Sequence, residues 1–231
     1  MAWIREESAP FMDGRYQVKT LRHAWLSAAA ELWRAAYPEV YGSPHEFLLD
    51  PVQLEHLVAL EESWQEHAAV RVYCMPVVVE LATCRLIAAS LLTKVEKNLQ
   101  VEFSFVATHP DYRRRAFTDP LRADTRKIAH QSGAEYFTTF CETWHAITQQ
   151  WCIDGGWRIA GIFPGNFTRW QGEGAEYRGC EVYFYRFVGE AEDYCTRADE
   201  WDLAPEVQEV WEVLARVNRR IELRRQHGKT S

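Results

Sequence analysis

VEFSFVATHPDYRRRAFTDPLR, residues 101–122, reads as a strand that runs into a basic loop and then into the start of a helix. Strand alternation puts Val101, Phe103, Phe105 and Ala107 on one face and Glu102 and Ser104 on the other. Thr118 or Asp119 can cap the helix, with Pro120 in its first turn. A helix start offers unpaired N–H groups and the positive end of the macrodipole. Arg113, Arg114 and Arg115 add fixed charge beside it. The first expectation is therefore a phosphorylated cofactor.

Working outward, residues 70–81, 84–94 and 99–108 are strand-like runs joined by short polar turns, which predicts an antiparallel meander. Upstream, residues 1–15 read as an arm with Pro10 and Gly14 as breakers, followed by an alternating run at Tyr16, Val18 and Thr20. Residues 21–37 have helical composition and stop at Pro38. A second helix is expected over 51–66, capped by Asp50 with Pro51 in its first turn.

Downstream, a helix over 119–131 ends at Gly133, followed by a strand at 136–141, a helix over 144–154 and strands at 157–163 and 180–188. The strand–helix–strand order around 101–141 predicts a right-handed parallel crossover within an otherwise antiparallel sheet. Residues 205–225 form a last helix candidate, with Val207, Val210, Leu214, Val217 and Ile221 at heptad-like steps, glutamates leading and arginines closing. Two heptads favour packing back on the core over a coiled coil and leave a homodimer open.

With 231 residues, 47% of them hydrophobic, and ten tryptophans, the chain can bury one large core. A formal charge of −7 disfavours nucleic acid and acidic membrane surfaces as partners and suits an amine or other cationic substrate. The six cysteines, Cys74, Cys84, Cys141, Cys152, Cys180 and Cys195, form no C-x-x-C pair or zinc-ligand spacing, so no metal site is expected. They read as reduced thiols. Arg5, Glu6 and Glu7 interrupt the N-terminus, and no apolar run reaches the roughly 18 residues that a spanning helix needs. The expectation is a soluble, cytoplasmic protein with no membrane contact.

ATHPDYRRRAFTDPLR resembles the acyl-CoA signature of the GNAT acetyltransferase superfamily, where a strand ends in a turn and a phosphate loop of the form Arg/Gln-x-x-Gly-x-Gly/Ala opens a helix. HAITQQWCIDGGW, residues 145–157, is similar to a second family segment, a helix ending in Gly before an aromatic that starts the next strand. The resemblance covers residues 16–189. It implies an α/β GNAT fold: a mixed, mostly antiparallel central sheet flanked by helices. Residues 1–15 would be an arm and 190–231 a C-terminal helical extension.

The implied activity is acyl transfer from acetyl-CoA, or another acyl-CoA, to a primary amine. A looser similarity to β-lysine N-acetyltransferases points to small amino-acid-like acceptors. Carried over by position, Arg113 matches the first loop residue, while Ala116 and Thr118 replace the two small positions. The alternative is a GNAT-like binding or regulatory protein whose coenzyme A loop has degenerated.

A lysine-type amine has a pKa of about 10.4 and must lose a proton before it attacks, so a carboxylate beside the thioester would serve. Glu102 is the expected base. By resemblance, the cofactor lies along Phe105, Val106, Ala107 and Thr108 and in the loop Arg113, Arg114, Arg115, Ala116, Phe117 and Thr118. A backbone N–H near Val106 would stabilise the oxyanion. Cys152 stands where many family members place a tyrosine acid, and a thiol of pKa about 8.5 can protonate a departing thiolate. His145 lies seven residues earlier, about 10 Å along the axis, too far for a dyad, and is a candidate cofactor contact. His109 is expected to shape the turn before Pro110. Ser104 and Glu142, with Phe167, Arg169 and Trp170 from the Gly-rich, aromatic segment 161–179 read as a loop, are candidate acceptor-binding residues.

Overall fold

The computed structural model describes residues 1–5, 8–37, 40–113, 117–171 and 175–228. The side chains of residues 118, 169–171, 175–176 and 226–228 are outside that description. The chain divides into two compact units, Met1–Ala134 with Thr168–Tyr177, and Glu135–Phe167 with Arg178–Ser231.

In the first unit β1 (Tyr16–Thr20) leads through a 3-10 turn at His23–Trp25 into α1 (Leu26–Ala36), and a second turn at Glu46–Leu49 leads into α2 (Pro51–Leu57). Then follow β2 (Val58–Ala59), α3 (Trp64–Val70), β3 (Tyr73–Cys74), β4 (Pro76–Glu80), β5 (Arg85–Val95), β6 (Gln100–Thr108), a 3-10 turn at Pro110–Tyr112 and α4 (Thr118–Gln131). The strands run in the order β1-β4-β5-β6, and both β1 with β4 and β5 with β4 and β6 are antiparallel. The expected meander is present. All five residues of β4 are buried, as an unbroken PVVVE run covered on both faces requires. One face carries Leu26, Ala30 and Trp33 of α1 with Leu54, Val77, Val79 and Leu91. The other carries Tyr16, Val18, Val78 and Ile87 with Phe117 and Leu121 at the start of α4.

Two expectations over residues 51–81 are corrected. The helix expected over 51–66 is two helices separated by β2, and the strand expected from Val70 begins only at Tyr73. Asp50 does cap the first of them, accepting from the Val52 N–H at 2.9 Å. Val58 and Ala59 leave the helix because they pair in parallel with Tyr73 and Cys74 and are fully buried there. Pairing and burial outweigh local helix preference.

The N-terminal residues are anchored within the same unit. Trp3 is buried and its indole N–H donates to the Arg71 carbonyl at 2.9 Å. The Lys94 side chain is 1% exposed, and its ammonium donates to the carbonyls of Ala69 (2.8 Å), Met1 (3.3 Å) and Ala68 (3.5 Å). Glu96 pairs with it at 3.2 Å. A buried cation is tolerated only with such a set of acceptors, and two of them are carbonyls near the negative C-terminal end of α3.

The second unit holds β7 (Tyr136–Glu142), α5 (Ala146–Asp154), β8 (Arg158–Gln171) up to Phe167, β9 (Ala175–Phe187) from Arg178 and α6 (Pro205–Gly228), with β9 between β7 and β8. The segment expected as a loop over 161–179 is largely strand, because β8 and β9 extend through it. At Gly179 a Cβ would stand 2.1 Å from the Phe167 ring, so only glycine lets that ring lie over the backbone. Helix α6 packs beside the start of β8. The Asn218 side chain accepts from the Ile159 N–H at 2.8 Å and donates to the Ile159 carbonyl at 2.9 Å, taking the place of a neighbouring strand. Arg158 pairs with Glu222 at 2.5 Å and also with Glu192.

Two predictions follow from these buried polar contacts. Lys94→Met keeps the apolar stem but leaves the carbonyls of Met1 and Ala69 without this donor, and should cost about 2–3 kcal/mol in urea unfolding. Asn218→Ala should speed hydrogen exchange at the Ile159 amide by about tenfold or more, since a loss of about 1–3 kcal/mol is expected for an orphaned edge pair.

Candidate active site

Strand β6 is not a regular partner of β5. Leu91 lies opposite Phe105 and Leu92 opposite Phe103, so Ser104 is an extra residue with nothing across from it. Such a bulge reverses the side-chain phase. Glu102 lies opposite Thr93, Phe105 opposite Leu91 and Ala107 opposite Ala89. Glu102 therefore shares its face with Phe105 and Ala107, and the strict alternation expected from the sequence is corrected at this point. That face is the one covered by α1 and α2.

Around Glu102 the polar contacts are short. Ser104 Oγ donates to Glu102 Oε1 at 2.9 Å and lies 2.7 Å from Thr93 Oγ1. Burial pushes the Glu102 carboxyl above the ordinary carboxylate range, and the Ser104 hydrogen bond opposes that rise. Burial, then the Glu102 charge, pushes the Tyr73 hydroxyl up in turn. Phe105 sits edge-on to His45 (centroids 4.8 Å), Tyr37 (5.7 Å) and Trp33 (6.3 Å). Burial lowers the His45 pKa, so this imidazole is neutral near pH 7. Tyr37 Oη donates to the Val106 carbonyl at 2.9 Å, and Ser90 Oγ donates to that of Phe105 at 3.3 Å. Thr93, Tyr73, Tyr37 and His45 were not among the residues that sequence reasoning selected. Their positions span 57 residues of chain, and the only sequence signal was the density of aromatic and polar side chains on the strands and helix that converge here.

Beyond β6, Thr108 leads into a tight turn. The His109 N–H donates to the Ile87 carbonyl at 2.8 Å, and its ring Nδ1 accepts from the Asp111 N–H at 3.3 Å, which is the turn-shaping role expected of it. Arg113 follows, exposed and extended. Phe117 stands at the cap position of α4 with its ring buried against Tyr16, 4.7 Å between centroids, so only its backbone is available to a ligand. No side chain caps α4. Asp119, the acidic residue of its first turn, pairs with Arg122 at 3.5 Å. A helix start without a side-chain cap, preceded by an exposed arginine, fits a phosphate group. Arg114, Arg115 and Ala116, the middle of the expected phosphate loop, lie outside the described residues, as do the side chains of Thr118, Arg169 and Trp170.

In the second unit, Cys141 near the end of β7 is buried and its Sγ lies 3.6 Å from that of Cys152 on α5. The hydrogen bond with Cys152, together with burial, pushes the Cys141 thiol far up, so it stays protonated. All six cysteines are free. Glu142, whose carbonyl accepts from Gln149 Nε2 at 2.8 Å, and Trp144, half exposed, lead into α5. His145 occupies the cap position, exposed, with Nδ1 2.6 Å from Thr148 Oγ1. Phe167 on β8 lies 6.2 Å from Trp144, ring to ring. Among the described residues no group of three His, Cys, Asp or Glu side chains is placed to hold a metal, and no helix is long and apolar enough to cross a membrane.

No family model matches the chain, and no curated protein matches its sequence. Solved structures do match. Mutant forms of the spermidine/spermine N-acetyltransferase SpeG from Vibrio cholerae align with a TM-score of 0.58 at 14% identity, covering 78% of this chain and 97% of theirs. Ribosomal-protein-S5-alanine acetyltransferase from Vibrio fischeri aligns at 0.57 and 10% identity, over 82% of this chain and 96% of its own. PaiA N-acetyltransferase from Thermoplasma acidophilum, solved in complex with coenzyme A, aligns at 0.51 and 11% identity, over 75% and 99%. At such identities the likeness is one of backbone architecture. In that architecture, a mostly antiparallel sheet flanked by helices, this chain has the fold of the GNAT N-acetyltransferases.

Proposed function

We propose that this protein is a cytoplasmic, acyl-CoA-dependent N-acyltransferase that acts on a primary amine, with acetyl-CoA as donor and a small amino-acid-like molecule as acceptor. The observation that carries the proposal is the half-buried Glu102 carboxyl, held by Ser104 on the strand that precedes an anion-ready helix start. A carboxyl raised by burial is a better base than an ordinary one, because its conjugate acid is weaker and closer to working pH. The net charge of −7 favours approach of a cationic amine.

In this reading the exposed Arg113 and the first-turn N–H groups of α4 hold the pyrophosphate, with Arg114, Arg115, Ala116, Phe117 and Thr118 completing the loop. The backbone of Phe105, Val106, Ala107 and Thr108 aligns the donor's amide arm, and His145 is a further contact to it. When bound, the donor supplies a thioester carbonyl and a thiolate leaving group. Glu102 takes the ammonium proton, directly or through a water, and frees the nitrogen lone pair. As the C–N bond forms and the C–S bond breaks, Cys152 gives its proton to the departing sulfur and is restored by the second proton that the nitrogen loses. Ser104 and Glu142, with Phe167, Arg169 and Trp170, are assigned to the acceptor. The rival reading, a GNAT-like binding protein without turnover, is favoured by Cys152, whose thiol is already engaged with Cys141.

Isothermal titration with acetyl-CoA should give saturable binding below roughly several hundred micromolar, corresponding to about 5 kcal/mol. An absence of heat at that concentration rejects the enzyme reading, and binding without thiol release across an amine panel supports the rival one.

Glu102→Gln should lower kcat/KM by about 100-fold or more and abolish the acid limb of the pH–rate profile. Because the folded pKa of Glu102 is raised above 4.5, its contribution to stability is full below that value and is lost as pH rises through the folded pKa. The Gln variant should therefore melt no lower than the native protein at pH 7, which separates lost chemistry from lost folding. Unchanged turnover would reject Glu102 as the base.

A further inference from the structure

Helix α6 has two distinct stripes. One, with Asn218 and Ile221 buried and Trp211 and Leu214 partly covered, faces its own unit. The other, about 100° round the helix at 100° per residue, runs Glu206, Val210, Val213, Val217, Arg220, Arg224 at steps of four and three. Val210 and Val213 are 59% and 48% exposed, and Glu206, Arg220 and Arg224 are exposed as well. This second stripe is a heptad seam with an acidic end, an apolar middle and a basic end.

We propose that this seam pairs antiparallel with the same seam of a second copy of the chain. A two-fold axis near Ala215 sets Val213 against Val217 of the second copy, Val210 against its Arg220 and Glu206 against its Arg224. The apolar centre is then closed, the Arg220 stem lies along Val210, and each acidic end meets a basic one. A parallel pair would oppose Glu206 to Glu206 and Arg224 to Arg224, which disfavours it. Glu206, Glu209 and Glu212 likewise disfavour an anionic lipid or nucleic-acid surface along the first half of the helix. The seam is shorter than a standard interface of about 800 Å² per partner, so the dimer belongs in the micromolar range.

Sedimentation velocity on the full chain from about 1 to 200 µM should show a monomer–dimer equilibrium that tightens as salt is lowered. Glu206→Arg and Arg224→Glu should each raise the dissociation constant by about tenfold or more, and the double variant should return it to within about threefold of the native value. Circular dichroism of each variant should match the native helix content, so that weakening reports the interface. A chain that stays monomeric at about 200 µM, a dimer indifferent to both single changes, or a double variant no tighter than the singles would each overturn the proposal. So would a monomer that instead co-sediments with phosphatidylserine vesicles.

Discussion

The extra residue in β6 is the constraint on which the candidate site depends. A strand that paired without interruption would send Glu102 to the face opposite Phe105, but the register step at Ser104 brings both to the side covered by α1 and α2. On that side the carboxyl loses water, which raises its pKa, and accepts a hydrogen bond from Ser104 that opposes the rise. Beyond the bulge the ladder with β5 resumes, and side chains add to it, with Ser90 on the Phe105 carbonyl and Tyr37 on that of Val106. The perturbed carboxyl is thus the outcome of one inserted residue.

Buried charge is handled differently on the two faces of the same ladder. Lys94, opposite Val101, is surrounded by acceptors from three separate segments and is fully matched, as a structural cation should be. Glu102, opposite Thr93, accepts from the Ser104 hydroxyl, and burial outweighs that hydrogen bond in setting its pKa. A group left partly uncompensated in this way costs stability, and such a cost is commonly borne where chemistry is done.

Much of the fold was legible in local pattern. The helix expected over 119–131 is Thr118–Gln131, and Gly133 beyond it adopts the positive φ of 85° that a helix-ending glycine permits. The strand at 136–141 and the helix ending at Asp154 also lie where periodicity and Gly155-Gly156 put them. Within the site, Glu102 and Ser104 were expected on one face, and they do touch. The misreadings share a cause. Residues 58–59 became strand because Tyr73 and Cys74 offered a partner, and residues 161–171 and 175–179 became strand although Gly161, Pro164 and Gly165 resemble loop punctuation. An edge strand tolerates proline and glycine, because one side of its backbone needs no ladder partner.

By itself the sequence determined the order of elements, the basic turn before α4, the acidic residue on the strand ahead of it and the polarity of α6, since each is a matter of spacing along one segment. Only the tertiary structure decided which way Glu102 points, which rings gather around Phe105, that Lys94 is buried and matched, and which stripe of α6 is left uncovered. Register, burial and pKa depend on what lies across a ladder or under a helix. Those neighbours come from positions tens of residues away, beyond the reach of any local pattern.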